Sequence, residues 1–303
     1  MNNLISMRDL NRAEIESILD FAARIERGEA HPDLSGKLAA LVFAEPSTRT
    51  HFSFDTAMKR LGGQTLSMSG TGGTSLQKGE SLADTLKTIS MYADLIVLRS
   101  AVEGSARYAS EVVDIPVINA GDGANQHPTQ ALLDLYSIIK TQGRLDGLSI
   151  ALVGDLKFGR TAHSLVQALS EFKPSFTFIS PQHLALPSYL LEDLRDAGVS
   201  YRELTSLDGV VPELDIMYVT RVQRERFVDP EEYERVKNSY VITPAVLEGA
   251  QPTMRVLHPL PRVNEVSTGV DRTTHAYYFQ QAANGVPIRQ AILAQLLGVE
   301  GTE

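Results

Sequence analysis

Residues 38–63, LAALVFAEPSTRTHFSFDTAMKRLGG, join an apolar run to an amphipathic one across a turn. Leu38 to Phe43 is apolar without interruption, as in a short strand buried on both faces of a sheet. Beyond Glu45-Pro46, the residues Phe54, Ala57, Met58 and Leu61 recur at helical spacing, and Gly62-Gly63 supply a C-cap. A buried strand leading directly into a helix is the repeating unit of a parallel α/β sheet.

Working outward, the same alternation continues in both directions. Asn11 and Glu14 form a capping pair for a helix with Ile15, Ile18, Leu19, Ala22 and Ile25 near one face. A helix around Leu82, Leu86 and Ile89 precedes the strands Leu95–Leu98 and Pro116–Asn119, and PTQALLDLYSIIKT reads as a helix from Pro128. Past Gly143 and Gly147 a second series has strands at Ser149–Val153, Ser175–Ile179, Asp215–Val219, Tyr240–Thr243 and Met254–His258. Tyr277 to Leu297 is helical in pattern, with Gly285 and Pro287 predicting a kink. Two such series imply an α/β fold of two parallel-sheet domains, with sites at the carboxyl ends of the strands.

Composition narrows the function. A chain of 303 residues suits about two domains, and 43% hydrophobic with 21% charged residues is ordinary for a globular protein. Without cysteine there is no disulfide framework, thiolate nucleophile or Cys-bearing metal site. A net charge of -9 speaks against nucleic acid or an anionic membrane as partner, so a bound anion needs a local cationic cluster. The start, MNNLISMRDLNRAEIE, has no basic region leading into an apolar stretch, and no run approaches ~18 apolar residues; the expectation is a cytoplasmic chain without a membrane span.

The strand ends carry the chemistry. Ser47, Thr48, Arg49 and Thr50 put hydroxyls, a guanidinium and free backbone N–H groups at a helix N-terminus, which suits a phosphate dianion; a plain Ser/Thr cap would not need Arg49. Arg99 closes its strand, either as a second guanidinium for that anion or as a surface strand-end residue. His127 and Gln130 open the next helix, positioned either to meet the oxygen and amide of an acyl-type group or simply to cap. In Val153-Gly-Asp-Leu-Lys-Phe-Gly-Arg160 the glycines miss the G-x-G-x-x-G spacing, so a dinucleotide is disfavoured. Arg160 and Arg221 instead offer two guanidiniums to a dicarboxylate. His258-Pro-Leu-Pro-Arg262 follows another strand, and its prolines fix an irregular loop with carbonyls free to face a ligand. Ser69–Glu80 is glycine-rich and reads as a mobile connector carrying a lysine. No H-E-x-x-H or G-x-S-x-G motif is present, so neither a metal site nor a serine hydrolase is expected.

Together, STRT at 47–50, HPTQALLD at 127–134, VGDLKFGRTAHSL at 153–165, TRVQRER at 220–226 and HPLPRVNEV at 258–266 resemble the transcarbamoylase family over nearly the whole chain, in particular its branch with aspartate as acceptor. The resemblance implies carbamoyl transfer from carbamoyl phosphate to L-aspartate, a step of pyrimidine biosynthesis, without a cofactor. Ser47, Thr48, Arg49, Thr50 and Arg99 would cradle carbamoyl phosphate, with His127 and Gln130 on its carbamoyl group. Arg160, Arg221, Gln223 and the Leu260 carbonyl would hold aspartate. Ser75 and Lys78 resemble a loop that enters the site of a neighbouring subunit, so a homotrimer with shared active sites is implied; Arg49, Thr50, His127 and Lys78 would be catalytic. Glu45 resembles a domain-closure residue with Arg160 and Arg226 as partners. The implied domains are 1–130 plus 278–303 for carbamoyl phosphate and 131–277 for aspartate. The family also admits regulatory chains or a pathway enzyme as partners.

His51 stands where many members have Arg, and Ser100-Ala101 where many have His-Pro. The branch with ornithine as acceptor usually shows S-M-G and H-C-L-P where this chain has Thr220-Arg-Val-Gln223 and His258-Pro-Leu-Pro261, and Arg221 would repel a cationic amine. A catalytically inactive scaffold homologue would be expected to lose the cradle, which is intact here.

Overall fold

The computed structural model describes residues 1–70, 75–222, 229, 231, 233–234 and 239–299, with backbone alone at 75 and 76. The chain folds as two compact units, Met1–Leu132 with Asn284–Glu303 and Leu133–Ala283. Each is built on one wholly parallel sheet.

In the first unit, α1 (Arg12–Arg27) starts at a complete capping box: the Asn11 side chain accepts from the Glu14 N–H at 3.0 Å, and the Glu14 carboxylate accepts from the Asn11 N–H at 2.9 Å. The strands β1 (Leu38–Phe43), β2 (Gln64–Ser69), β3 (Leu95–Ser100) and β4 (Val117–Asp122) lie in the order β2-β1-β3-β4. Helices α2 (Thr48–Arg60), α3 (Leu82–Ser90) and α4 (Ser105–Val112) connect them, and α5 (Pro128–Gln142) follows β4. Ala40, Val42, Ile96, Leu98 and Val117 pack on Leu86, Ala106 and Ala109 in one core cluster. Burying each large aliphatic side chain contributes about 1.5–3 kcal/mol.

The apolar reading finds β1, β3 and β4 but misses β2. As an edge strand, β2 exposes Gln64, Leu66, Ser67 and Ser69, so its sequence QTLSMS lacks a continuous apolar run.

The second unit contains β5 (Ser149–Val153), α6 (Arg160–Ser170), β6 (Ser175–Ile179), α7 (Ser188–Asp196), β7 (Ser200–Leu204), β8 (Ile216–Val219) and β9 (Arg255–Leu257), with strand order β7-β6-β5-β8-β9. β7, SYREL, is the second strand that the apolar reading misses, again a half-exposed edge. Tyr240–Thr243 is not a sheet strand. Ile242 makes a single bridge to Val266, with the Ile242 N–H on the Glu265 carbonyl at 2.8 Å and the Ser267 N–H on the Ile242 carbonyl at 2.9 Å. Pro244 lacks the N–H that a longer ladder would require.

The C-terminal segment forms two helices rather than one kinked helix: α8 (Tyr278–Ala283) and α9 (Gly285–Leu296), with Asn284 between them. α9 returns to the first unit, where it packs on α1 and α2. Its Pro287 lies in the first turn, where a missing N–H is harmless. No helix among the described residues is long and apolar enough to cross a membrane.

Candidate functional site

Each sheet has one point where the chain leaves in opposite directions from adjacent strands. In the first unit β1 continues through α2 to β2 on one side, while its other neighbour is β3. In the second, β5 continues through α6 to β6, while its other neighbour is β8. Crevices for ligands form beyond the carboxyl ends of the strands at such points. The STRT motif lies at the first of these places and VGDLKFGR with Arg221 at the second, while HPTQ and HPLPR follow the neighbouring strands β4 and β9.

At the β1/β3 point, Ser47 occupies the N-cap of α2 without making a side-chain capping bond, so the plain capping role does not account for its hydroxyl. Thr48 and Arg49 are exposed, Ser47 is half-buried and Thr50 is buried, all in the first turn of α2, whose free N–H groups and dipole favour an anion. Arg99, at the end of β3, is buried: its Nη1 donates to the Ala120 carbonyl at 3.1 Å and its Nη2 lies 3.1 Å from the Glu45 carboxylate. Arg99 is thus a fixed guanidinium beside the cradle rather than a solvated surface arginine. The sequence reading did not foresee the Glu45–Arg99 pair.

The next strand end brings His127 to the same edge. An organising residue missed by the sequence reading, Asp122, sits buried at the end of β4. Its carboxylate accepts from the Asn119 side chain at 2.9 Å, the Gln126 N–H at 3.0 Å, the Gly104 N–H at 2.9 Å and the Asn125 side chain at 3.0 Å. The Gly121-Asp122-Gly123 turn, with both glycines at positive φ, is the signal that could have found it. The loop so fixed delivers His127 and Gln130, both buried, to the start of α5. The His127 carbonyl accepts the Gln130 and Ala131 N–H groups, so its backbone opens the helix, while Thr129 Oγ1 lies 3.5 Å from the ring Nδ1. Arg289 of α9 reaches Thr129 Oγ1 at 3.5 Å and stacks 4.9 Å over the Phe54 ring.

At the β5/β8 point, Gly154 is required by close approach. Its φ is +120°, and a Cβ there would lie 2.3 Å from the Thr220 carbonyl oxygen. The Thr220 N–H donates to the Val153 carbonyl at 2.8 Å, and the Asp155 carboxylate accepts from the Lys157 and Phe158 N–H groups. Thr220 Oγ1 also donates to the Asp155 carbonyl at 3.2 Å, so Gly154 and Asp155 hold the ends of β5 and β8 together. Arg160 opens α6 and Arg221 follows Thr220, so both residues stand next to this join in the chain.

The HPLPR loop leaves the neighbouring strand β9. The buried His258 donates from Nε2 to the Glu265 carboxylate at 2.7 Å and accepts the Leu260 N–H at Nδ1 at 2.8 Å. An accepting Nδ1 requires the neutral ring. Burial is the main cause holding His258 below the ordinary histidine value, with Arg262 and Arg221 adding to it and Glu265 opposing. Burial works to raise the Glu265 carboxyl, but hydrogen bonds from His258 and the backbone outweigh it and leave it below the usual glutamate value. Beneath the loop, Gln281 accepts the His258 N–H at 2.8 Å and donates to Asp134 at 2.6 Å, and Asp134 also accepts from Tyr218 at 2.8 Å. Arg262 is held by Asp271 and by Tyr278, whose hydroxyl is pushed up to about 12 by burial first and by Asp271 next.

Lys78 is exposed at the end of a short 3-10 turn, Ser75–Lys78. Gln223 and Arg226 lie outside the described residues. Among the described residues no group of three or more His, Asp or Glu side chains is placed to hold a metal ion.

Residues 2–140 match the family model described as aspartate/ornithine carbamoyltransferase, carbamoyl-P binding domain, and residues 146–296 match its Asp/Orn binding domain. The aspartate carbamoyltransferase catalytic subunit of Thermococcus onnurineus is 52% identical over 98% of this chain and 97% of its own length. That of Vibrio vulnificus is 54% identical over 97% and 96%. Among solved structures, the catalytic subunit of M. jannaschii aspartate transcarbamoylase superposes with a TM-score of 0.91 at 51% identity, covering 98% of each chain. The Trypanosoma cruzi aspartate transcarbamoylase in complex with carbamoyl phosphate and aspartate gives a TM-score of 0.91 at 38% identity over 96% of each chain.

Proposed function

The chain belongs to the aspartate/ornithine carbamoyltransferase family, and from that premise we propose how its residues divide the work of moving the carbamoyl group of carbamoyl phosphate to the α-amino group of L-aspartate, giving N-carbamoyl-L-aspartate and phosphate. What supports this reading is that Ser47–Thr50 open α2 at the β1/β3 point of one unit, while Arg160 and Arg221 stand beside the β5/β8 point of the other.

Ser47, Thr48, Arg49, Thr50 and Arg99 of the first unit bind the phosphate of carbamoyl phosphate, and His127 and Gln130 bind its carbamoyl group. Arg160, Arg221 and Gln223 of the second unit hold the two carboxylates of aspartate, with the Leu260 carbonyl near its amino group. The amine nitrogen attacks the carbamoyl carbon and forms the new C–N bond. The resulting oxyanion is stabilised by donors from Arg49, Thr50 and His127, and one such donor is typically worth roughly 3–4 kcal/mol. Collapse breaks the C–O bond and expels phosphate, which takes up the amine proton. Positioning two polyanions together is the harder task, and the concentration of guanidiniums answers it. Glu45, with Arg160 and Arg226, contributes to closure around the substrates.

The chain works in the cytoplasm, in pyrimidine biosynthesis, as a homotrimer in which Ser75 and Lys78 complete a neighbour's site; regulatory chains or a pathway enzyme are further partners of such an assembly. The reading is tested by initial rates with carbamoyl phosphate and either L-aspartate or L-ornithine. Turnover with aspartate alone supports it. Comparable turnover with ornithine overturns it.

A further inference from the structure

The HPLP turn is held by the side chains of His258, Glu265 and Gln281. Pro259 and Pro261 have no N–H, so the only backbone donors of residues 258–261 are those of His258 and Leu260. Both are taken, the first by Gln281 and the second by the ring of His258 itself. Among the described residues no donor reaches the carbonyl oxygens of Pro259, Leu260 or Pro261. Leu260 adopts φ +55°, a left-handed conformation that an L side chain rarely takes and that needs outside support. The support is visible: His258 Nδ1 holds the Leu260 N–H, and Glu265, anchored in turn by the Val263 and Asn264 N–H groups at 3.0–3.2 Å, fixes the ring through Nε2.

We propose that His258, oriented by Glu265, is the positioning residue for the acceptor's amino group: its neutral Nδ1 keeps Leu260 in the conformation that turns the free carbonyl toward that amine. This rests on the reading of the site given above. No proton passes through His258 in the reaction. It acts through Leu260 and touches neither substrate. The depressed proton affinity of the ring agrees with this arrangement, because an imidazolium has no lone pair to offer Leu260.

Two substitutions separate the two ring nitrogens. In His258→Asn the amide oxygen takes the place of Nδ1, keeping the acceptor for Leu260 while losing the bond to Glu265. In His258→Gln the terminal amide takes the place of Nε2, keeping the Glu265 bond and losing the acceptor. The expected result is a fall in kcat of about 10²-fold for His258→Gln, the scale of an ångström-size misplacement of a reacting group. His258→Asn should stay within about 5-fold of the parent, and the KM for carbamoyl phosphate should move little in either. Equal losses in the two variants, or a fully active His258→Gln, would overturn the proposal while the parent's turnover with aspartate leaves the functional reading standing. A parent inactive with aspartate would fell both. Ring-nitrogen NMR of the parent, with the His258 signals assigned by their loss in His258→Asn, gives a readout independent of activity. The Nε2–H tautomer at neutral pH is expected, and an Nδ1–H tautomer would contradict the proposal.

Discussion

His127 shows how one side chain separates two readings of a motif. It lies 4% exposed at the start of α5, and its backbone carbonyl already accepts the first N–H groups of the helix. Alanine preserves that carbonyl, so His127→Ala should cost little stability while cutting kcat by about 10²-fold or more, the range for a lost oxyanion donor. Steady-state kinetics beside a thermal melt checks this; a variant of parental activity that melts far lower would make His127 a structural cap. Residues facing a ligand are legible in sequence because hydroxyls, guanidiniums and imidazoles at strand ends are surplus to folding. Residues that hold them are not. Asp134 and Gln281 act through each other across 147 residues, and no local spacing announces them; Asp122 and Glu265 bond mainly within their own loops, where only the glycines flanking Asp122 give a sign.

Elements joined at a single close contact are sensitive to one methyl group. Gly154→Ala would put Cβ 2.3 Å from the Thr220 carbonyl, which as backbone cannot give way, at a φ of +120°. Strain and overpacking each cost about 1–3 kcal/mol, so denaturant unfolding should show a loss of several kcal/mol. Aspartate should bind more weakly as well, because Arg221 is carried by the displaced segment.

The HPLPR loop predicts an acid limit to stability. His258 faces Glu265, Arg262 and Arg221, and its folded-state affinity for a proton lies below the ordinary value of 6.5. Its contribution is therefore fully present above that value and is lost as pH falls through the depressed one. Glu265, also depressed, contributes above 4.5 and loses its share below, with the same sign. Unfolding free energies from pH 8 to pH 5 should fall on the acid side, and His258→Asn should flatten the fall. An unchanged slope would mean that folding does not alter the proton affinity of His258, and a steeper fall in the variant would mean that folding raises it.

At this same scale the sequence separates buried strands from edges. β1, β3, β5, β6 and β8 are buried along most of their length and read as apolar runs, whereas β2 and β7 lie half in solvent and carry no such signal. Tyr240–Thr243 has the composition of a strand, but it finds its partner in the segment after the HPLPR loop instead of the sheet.

Over the whole molecule, the chain crosses between its units within α5 and again at Asn284, so the last helix completes the core in which the first strands lie. Periodicity identifies that helix but not its destination, because α9 is buried nearly all round and has no polar face to orient it. The proposed homotrimer predicts complementation. Arg49→Ala and Lys78→Ala should each be nearly inactive, and trimers refolded from a mixture should regain activity wherever an intact cradle meets an intact loop. A mixture that forms trimers by sedimentation yet stays inactive would confine Lys78 to its own chain or to no site.

The central claim is that one unit holds the phosphate and the other the dicarboxylate, and Arg221→Ala tests it most directly when its kinetics are measured against both substrates. Losing a hydrogen-bonded charge of this kind costs about 1.5–3 kcal/mol, so the KM for aspartate should rise roughly 10- to 100-fold. The predicted result is that rise together with a lower kcat and an unchanged affinity for carbamoyl phosphate. An equal loss of affinity for both substrates would contradict the division of labour between the two sheets.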